Sequence, residues 1–225
     1  MYYLKKTLVI FSGGQDSTTC LGWALKTYSQ IEAIHFKYGQ KHSIETEQAR
    51  KICKKHDVLL HEIDINFLNE IVDSALTSNG DVNKKHDRLK HLPASFVPNR
   101  NAIFITLAHC LAQKIGAEKI ITGVCQTDFS GYPDCRVSFI NAMENALFIG
   151  SETYIEIVTP LMYFTKAEVF ELAQTVGILE DVIELSHTCY NGNRTDKHDW
   201  GYGCNDCPAC ELRKNGWNKY KNKTI

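Results

Sequence analysis

No stretch of the 225 residues is apolar for the roughly 20 consecutive positions that a bilayer-crossing helix needs. The start, Met1-Tyr2-Tyr3-Leu4-Lys5-Lys6-Thr7, lacks the pattern of a secretory leader. Its short apolar run ends at Ser12-Gly13-Gly14, with no small-residue cleavage site at a sensible distance. The expectation is a cytoplasmic protein without a membrane partner. A surplus of charge of one sign is also missing. Lys and Arg number 25 against 26 Asp and Glu, for a net charge of -1. Dedicated nucleic-acid binders carry a basic excess, because phosphate neutralisation dominates their affinity, so no nucleic-acid partner is expected. Basic runs such as residues 51–55 read as a solvated helix face. Internal repeats, low-complexity segments and a linker between two full domains are absent too. What is left is 44% hydrophobic and 23% charged, an ordinary globular composition that suits one large domain, or one domain with a small appendage.

Along the chain, short apolar runs alternate with helical spacing. Residues 7–11 form a continuous apolar run stopping at Gly13-Gly14, as a strand buried on both faces does. A helix is expected over 16–28, a strand over 31–36, an amphipathic helix over 44–56 and a strand over 58–63. Residues 77–98 break the rhythm with Asn79-Gly80, several basic residues and two prolines, and read as a flap over a site. A long apolar, buried helix is expected over 99–115, a strand over 119–124, a polar loop over 125–136, a helix over 137–149 and a strand over 155–158. Thr165-Lys166-Ala167-Glu168 matches a capping box, with Gly177 as the stop of its helix. The alternation implies βαβ units and a parallel α/β sheet of five strands. The division expected is an α/β domain over 1–184 and a polar, aromatic, cysteine-rich tail over 185–225.

Ser12-Gly13-Gly14-Gln15-Asp16-Ser17 lies between the first strand and the first helix. Glycines there let backbone N–H groups approach an anion, and the helix dipole adds positive potential. Ser12 and Ser17 supply hydroxyls. Asp16 repels bare phosphate and makes sense if magnesium or a ribose hydroxyl is held as well. The loop has neither the Gly-Lys-Ser/Thr of a Walker A motif nor a GxGxxG fingerprint. A plain Gly-Gly turn explains the glycines but not the flanking Ser, Asp and Ser.

Of nine cysteines, Cys20, Cys53, Cys110, Cys125 and Cys135 are scattered and read as free thiols in a reducing compartment. Cys189, Cys204, Cys207 and Cys210 are clustered, with two Cys-x-x-Cys steps sharing Cys207. Four thiolates suit one tetrahedral zinc, or an iron–sulfur cluster. Four protein ligands leave no open position for water, so the role read is a structural staple of the tail. His187 and His198 lie nearby and are read as surface residues or as supports behind the ligands. Cys135 has no histidine nearby in sequence and is not read as a nucleophile.

The loop resembles the PP-loop of the N-type ATP pyrophosphatases, which adenylate a carboxylate, carbonyl or amide oxygen and release pyrophosphate. Together with the terminal cysteines it is similar to one family of that group, the QueC family of 7-cyano-7-deazaguanine (preQ0) synthases of queuosine biosynthesis. The resemblance runs along nearly the whole chain. It includes Phe11-Ser12-Gly13-Gly14-Gln15-Asp16-Ser17-Thr18-Thr19-Cys20, then Val97-Pro98-Asn99-Arg100-Asn101. It continues through the loop from Gln126 to Arg136, the capping box, and the cysteines followed by Glu211-Leu212-Arg213. The gap between Cys189 and Cys204 departs from the pattern, longer by several residues near 193–200.

The resemblance implies a Rossmann-like fold of the adenine nucleotide alpha hydrolase type, with a zinc-binding tail. It implies conversion of 7-carboxy-7-deazaguanine and ammonia to a nitrile through adenylates and an amide, with Mg2+ accompanying ATP, one structural Zn2+ per chain and a homodimer. ATP is assigned to Phe11, Ser12, Gly13, Gly14, Gln15, Asp16, Ser17, Thr18, Thr19, Cys20 and Leu21. Lys166, Arg100 and Asp16 are the catalytic candidates: Lys166 for pyrophosphate, Arg100 for phosphate or the substrate carboxylate. Asp128, Ser130 and Asp134, on the loop after the fourth strand, are the substrate candidates, since a carboxylate can accept from a guanine-like N–H edge. Two competing readings are a PP-loop enzyme modifying tRNA and a non-enzymatic nucleotide sensor with a structural zinc. The balanced charge and short chain disfavour the first. The second leaves the loop around Asp128 and Lys166 without a purpose.

Overall fold

The computed structural model describes residues 6–38, 44–72, 74, 90, 92–126 and 132–223. At its centre is a parallel sheet of five strands: β1 (Lys6–Ile10), β2 (Gln30–Lys37), β3 (Leu59–Asp64), β4 (Ala117–Ile121) and β5 (Glu156–Val158). Their order is β3-β2-β1-β4-β5, and every neighbouring pair is parallel. This is the parallel α/β sheet that the alternating pattern predicts, in the Rossmann-like arrangement that the resemblance implies. Thr7, Leu8 and Val9 are wholly buried, as a central strand covered on both faces requires.

Pleating sends alternate residues to opposite faces. Leu8, Ile34 and Ile120 join a core with Ala108 and Ala112 of α3 (Arg100–Ile115). Val9, Ala33 and Ile121 join a second core with Leu21 and Ala24 of α1 (Gln15–Thr27), Ile52 of α2 (Ile44–Lys55) and Val169 of α5 (Lys166–Thr175). On the α3 side, α4 (Val137–Ser151) adds Ile140 against Ile105 and Ile157. Because β2 and β4 flank β1 on opposite sides, the chain reverses direction of travel at β1. A crevice opens there, at the carboxyl ends of β1 and β4.

The expectation of a long apolar, buried helix over 99–115 is corrected in part. Only Ile105, Ala108, His109 and Ala112 of α3 are buried, while Thr106, Cys110, Gln113 and Lys114 are exposed. The helix is apolar, but it covers the sheet with one stripe. Of the segment expected as a flap, residues 77–89 and 91 lie outside the described residues. Its described end is packed: Leu92, Phe96 and Val97 are buried, and Ser95 Oγ is 2.7 Å from Tyr132 Oη.

The capping box is present, with the Glu168 N–H donating to Thr165 Oγ1 at 3.4 Å and the Thr165 N–H donating to Glu168 at 2.7 Å. Such a cap stabilises its helix by about 1 kcal/mol, and it fixes the first residue of α5, Lys166. The tail is more ordered than its polar composition suggests. After α6 (Leu179–Glu184), a small hairpin of β6 (Lys197–His198) and β7 (Gly201–Tyr202) precedes α7 (Pro208–Lys223). The long gap between Cys189 and Cys204 is this hairpin, anchored by buried Trp200 with His198 stacked on it at 4.5 Å. Helix α7 lies on α5, where Phe170 meets Trp217 and Tyr220. Gly216 faces the first turn of α5, and any Cβ there would collide with Lys166. A glycine inside a helix costs about 1 kcal/mol relative to alanine, and here the close approach requires it.

Glu62 of β3 ties α2 to the sheet. It accepts both guanidinium bonds of Arg50, at 2.6 and 2.7 Å, and pairs with Lys37 at 2.7 Å. The Arg50 bonds, reinforced by Lys37, hold its carboxyl at about 2. An unfolded glutamate titrates near ~4.3, so the folded state binds its proton later. The stabilisation is complete above that unfolded value and disappears as pH falls through about 2. Urea unfolding of wild type and Glu62→Gln across a pH series should give a constant gap above pH ~5 that closes toward pH ~2. A gap that does not change with pH would contradict this.

Candidate active site

A cleft of about 300 Å³ opens at the switch point between β1 and β4. One wall is the loop between β1 and α1. Gly13 takes φ +81°, and a Cβ on it would meet Ala49 N and Glu45 O of α2 at 2.9 Å, so only glycine fits. Gly14 is the N-cap of α1. Ser12 Oγ and Ser17 Oγ lie 3.0 Å apart, and Ser17 also donates to Gly14 O. Across the crevice, Gly123 follows β4, and a Cβ on it would lie 3.2 Å from the backbone at Asp16 and Ser17.

His35 of β2 braces this loop from behind. Its Nδ1 lies 2.9 Å from Phe11 O and its Nε2 2.9 Å from Thr46 Oγ1. A carbonyl can only accept, so Nδ1 carries the proton. Burial keeps the ring pKa below its ordinary value.

Lys166 closes one end, its Nζ 2.6 Å from Asp16 Oδ2. The pair explains how a carboxylate is tolerated in an anion site: a cation neutralises it. Asp16 Oδ1 is buried and has no hydrogen-bond partner among the described residues, nor has Gln15 Nε2. Both sit at the helix start, where a ligand would meet them. Of the residues assigned to ATP by resemblance, Phe11, Ser12, Gly14, Gln15, Asp16 and Ser17 line the cleft. Gly13 presses on α2 beneath it. Thr18, Thr19, Cys20 and Leu21 are wholly buried behind the loop.

The opposite wall is aromatic and carries one cation. Phe36 and Phe104 stack at 4.5 Å, and Tyr38 meets Phe104 edge-on at 5.4 Å. Arg100, on the first turn of α3, lies over the Tyr38 ring at 6.0 Å. Burial works against its charge, but Tyr38, Tyr132 and the Asp134 carboxylate outweigh burial, and its pKa is raised. Tyr132 and Tyr190 complete the wall, and burial pushes the Tyr190 phenol well up. Asp134 does not line the cleft. It is buried, with Oδ2 accepting the Asn101 N–H at 3.1 Å and its carbonyl accepting from the Asn101 side chain, so it caps the helix that carries Arg100. Asp128 and Ser130 lie outside the described residues.

The tail supplies the remaining wall. The His187 N–H donates to Gly13 O at 2.9 Å. His187 is buried, lines the cleft, and has neither ring nitrogen partnered among the described residues. Burial lowers it to about 4, so it is neutral. It is a buried cleft residue, so the surface alternative expected for it is corrected. Thr188 and Tyr190 flank Cys189 and face the cleft. Arg213 of α7 is 1% exposed and donates to Trp200 O at 2.8 Å, Val182 O at 2.6 Å and Thr188 Oγ1 at 3.1 Å. Burial pushes Arg213 down to about 10, which leaves it charged at neutral pH.

The sulfurs of Cys189, Cys204, Cys207 and Cys210 lie within 4.8 Å of one another, with Cys204 and Cys210 at 4.0 Å. A zinc–sulfur bond of ~2.3 Å implies tetrahedral S···S edges of about 3.8 Å, so the cluster can hold one metal ion. The Cys207 N–H already points at Cys204 Sγ, at 3.3 Å, the kind of outer hydrogen bond that orients a thiolate. Bonds from Cys207 and then Cys210 hold the Cys189 thiol far below its ordinary pKa. His198 is not grouped with the four sulfurs, and its Nε2 bonds Gly203 O at 3.0 Å.

His35, Tyr38, Phe104, Tyr132, His187, Thr188, Tyr190 and Arg213 escaped sequence reasoning as site residues. Tyr132 and Arg213 lay in stretches that carry the family resemblance, the loop from Gln126 to Arg136 and the terminal motif, but were not singled out. The others come from β2 and the residue after it, α3 and the tail, and no local pattern announces that they converge.

Residues 6–221 match the family model described as queuosine biosynthesis protein QueC. Three curated relatives are each named 7-cyano-7-deazaguanine synthase. One from Wolinella succinogenes is 51% identical over 95% of this chain and 93% of its own. One from Helicobacter pylori is 50% identical over 97% and 96%. One from Bordetella pertussis is 42% identical over 96% and 93%. Among solved structures, the chain is similar to a 4-thiouridine synthetase complexed with RNA and bound ATP, at a TM-score of 0.52 and 21% identity. That match covers 97% of this chain and 51% of the other, so the chain spans about half its length, and the likeness is one of fold.

Elemental analysis of the purified protein should find one tightly held metal ion per chain, and Cys207→Ser, which removes the most buried ligand, should lose it. Full metal retention in that variant would show that the four sulfurs do not act together.

Proposed function

We propose, from the premise that the chain belongs to the QueC family of queuosine biosynthesis proteins, that it makes 7-cyano-7-deazaguanine from 7-carboxy-7-deazaguanine, ammonia and ATP. The observation that carries this reading is a single cleft with two unlike walls. One is a glycine loop at a helix N-terminus with a lysine beside it. The other is an aromatic wall with one arginine.

The residues divide the work accordingly. The loop from Ser12 to Ser17 takes the phosphates of ATP through backbone N–H groups and hydroxyls. Lys166 leaves Asp16 for the pyrophosphate as it departs, and Asp16, whose Oδ1 has no hydrogen-bond partner among the described residues, would hold Mg2+. The metal supplies charge neutralisation on the polyphosphate when bound. Tyr38, Phe104 and Tyr190 stack against the flat base, and Arg100 grips its carboxylate through two parallel hydrogen bonds. Asp134 acts indirectly, by capping the helix that aims Arg100. Asp128 and Ser130 keep the role the resemblance gives them, at the polar edge of the base. The four-cysteine cluster takes Zn2+, with no open position for catalysis.

A carboxylate is a poor electrophile because oxide is a poor leaving group. One of its oxygens attacks the α-phosphorus of ATP, the bond to pyrophosphate breaks, and an acyl adenylate forms. The nitrogen lone pair of ammonia attacks the acyl carbon, AMP leaves, and a proton passes to solvent, giving the amide. The amide oxygen is adenylated by a second ATP. Loss of AMP and the nitrogen-bound protons then gives the nitrile. The chain needs no covalent nucleophile for this, only alignment and stabilisation of charge on phosphate and acyl oxygens. Ammonia comes from solution. Exposed Phe148 and Ile149 of α4, with Tyr154 just after it, offer an apolar surface to a second copy, in keeping with a homodimer.

The test is incubation of the metal-replete protein with Mg–ATP, ammonium and the acid, following the base by mass spectrometry. The amide should appear and then the nitrile, each requiring ATP. Lys166→Met should lower kcat by roughly 10²–10³, the usual cost of removing one charge-stabilising donor. Acid that stays unchanged in the presence of ATP would overturn the reading and bring the tRNA-modifying alternative forward.

A further inference from the structure

The hydroxyl of Thr188 is held in an unusual way. Oγ1 accepts the backbone N–H of Gln15, the first residue of α1, at 3.3 Å, and the Arg213 Nη1–H at 3.1 Å. A hydroxyl oxygen has two lone pairs and one proton. Two N–H donors fill both lone pairs, so the O–H can only donate. Thr188 lines the cleft beside Gly14, on which a Cβ would lie 3.9 Å from Oγ1. Anything meeting that hydroxyl meets a donor, polarised by a buried guanidinium.

The same contact removes the Gln15 N–H from the set that α1 offers to an anion, since it is already spent on Thr188. The threonine returns a donor in its place, one residue from a metal ligand and bonded to Arg213. Arg213 in turn belongs to the helix that carries Cys210. The cysteine knuckle therefore reaches the nucleotide loop through one side chain.

We propose that Thr188 is a polyphosphate-binding residue, donating its hydroxyl to a phosphate oxygen of the nucleotide, and that the cysteine knuckle and Arg213 fix its orientation. This rests on the reading that the cleft binds ATP. The donor is aimed by covalent and hydrogen-bonded neighbours on both sides, and holding it costs nothing further when the ligand arrives. The aromatic wall does not involve the Thr188 hydroxyl, so the base should not sense its loss.

The experiment measures binding of Mg–ATP and of pyrophosphate by calorimetry, the KM of the acid, and the metal content, for wild type, Thr188→Val, Thr188→Ala and Thr188→Ser. Val and Ala should weaken Mg–ATP and pyrophosphate about tenfold, equivalent to ~1.4 kcal/mol. Metal content, the circular dichroism spectrum and the KM of the acid should stay at wild-type values. Ser, which keeps the hydroxyl, should recover most of the affinity. Wild-type nucleotide affinity in Val or Ala would overturn the proposal, and so would loss of metal or fold in both, which would assign Thr188 to the knuckle alone. A wild-type protein that binds neither ATP nor pyrophosphate would instead overturn the functional reading, and this role with it.

Discussion

The contact between the tail and the loop that ends β1 turns an open sheet edge into a cleft. It consists of the His187 N–H on Gly13 O and the Gln15 N–H on Thr188 Oγ1. An α/β sheet offers ligands a crevice at its switch point, but that crevice has no lid of its own. Here residues 187–190 lie across it. Gly13 must take a positive φ to let α2 come close, and its carbonyl is then free to accept from the tail. Tail and loop thus position one another. A metal ion held by the four cysteines would give the tail the rigidity to do this, since 185–223 bury only one small core of their own around Trp200.

Charge is balanced around that contact. Asp16 is paired with Lys166, and Arg213 is buried between the loop and the cysteines with only carbonyl and hydroxyl acceptors. Four thiolates on a divalent metal would carry a net charge of about -2, and a buried guanidinium would offset part of it. Helix α7 does two jobs. Its Arg213 holds Thr188, and its Gly216 presses on the first turn of α5, which aims Lys166 at Asp16. Two cations of the cleft are therefore set by one helix of the tail. This is how the cysteine cluster bears on the geometry of the cleft.

The sheet and the loop were legible in the sequence because their signals are local. A continuous apolar run, a glycine pair and a helical repeat mark β1, the turn and α1 within a few residues of one another. The capping box at Thr165 and Glu168 was legible for the same reason, and so was the cysteine spacing. The aromatic wall was not, because Tyr38, Phe104, Tyr132 and Tyr190 come from four separate segments and each looks like an ordinary core residue. Asp134 read as a ligand for the base because it sits in a polar loop. In the fold its carboxylate faces a helix N-terminus instead, a partner 33 positions away in sequence. Helix α3 read as buried on composition alone, because hydrophobicity without a strong period hides which face is covered. Arg213 and Gly216 lie in a polar helix whose sequence gives no hint that one is the most buried cation of the cleft and the other a close contact with the first turn of α5.

The account stands on adenylation of oxygen as the single chemical device, used twice. Its most direct test is the fate of the carboxylate oxygens of the acid. With both labelled as oxygen-18, each turnover to the nitrile should yield two AMP molecules carrying one label each, with none in pyrophosphate or orthophosphate. Label in orthophosphate, or unlabelled AMP alongside nitrile, would contradict it, because the oxygen would then have left without passing through an adenylate.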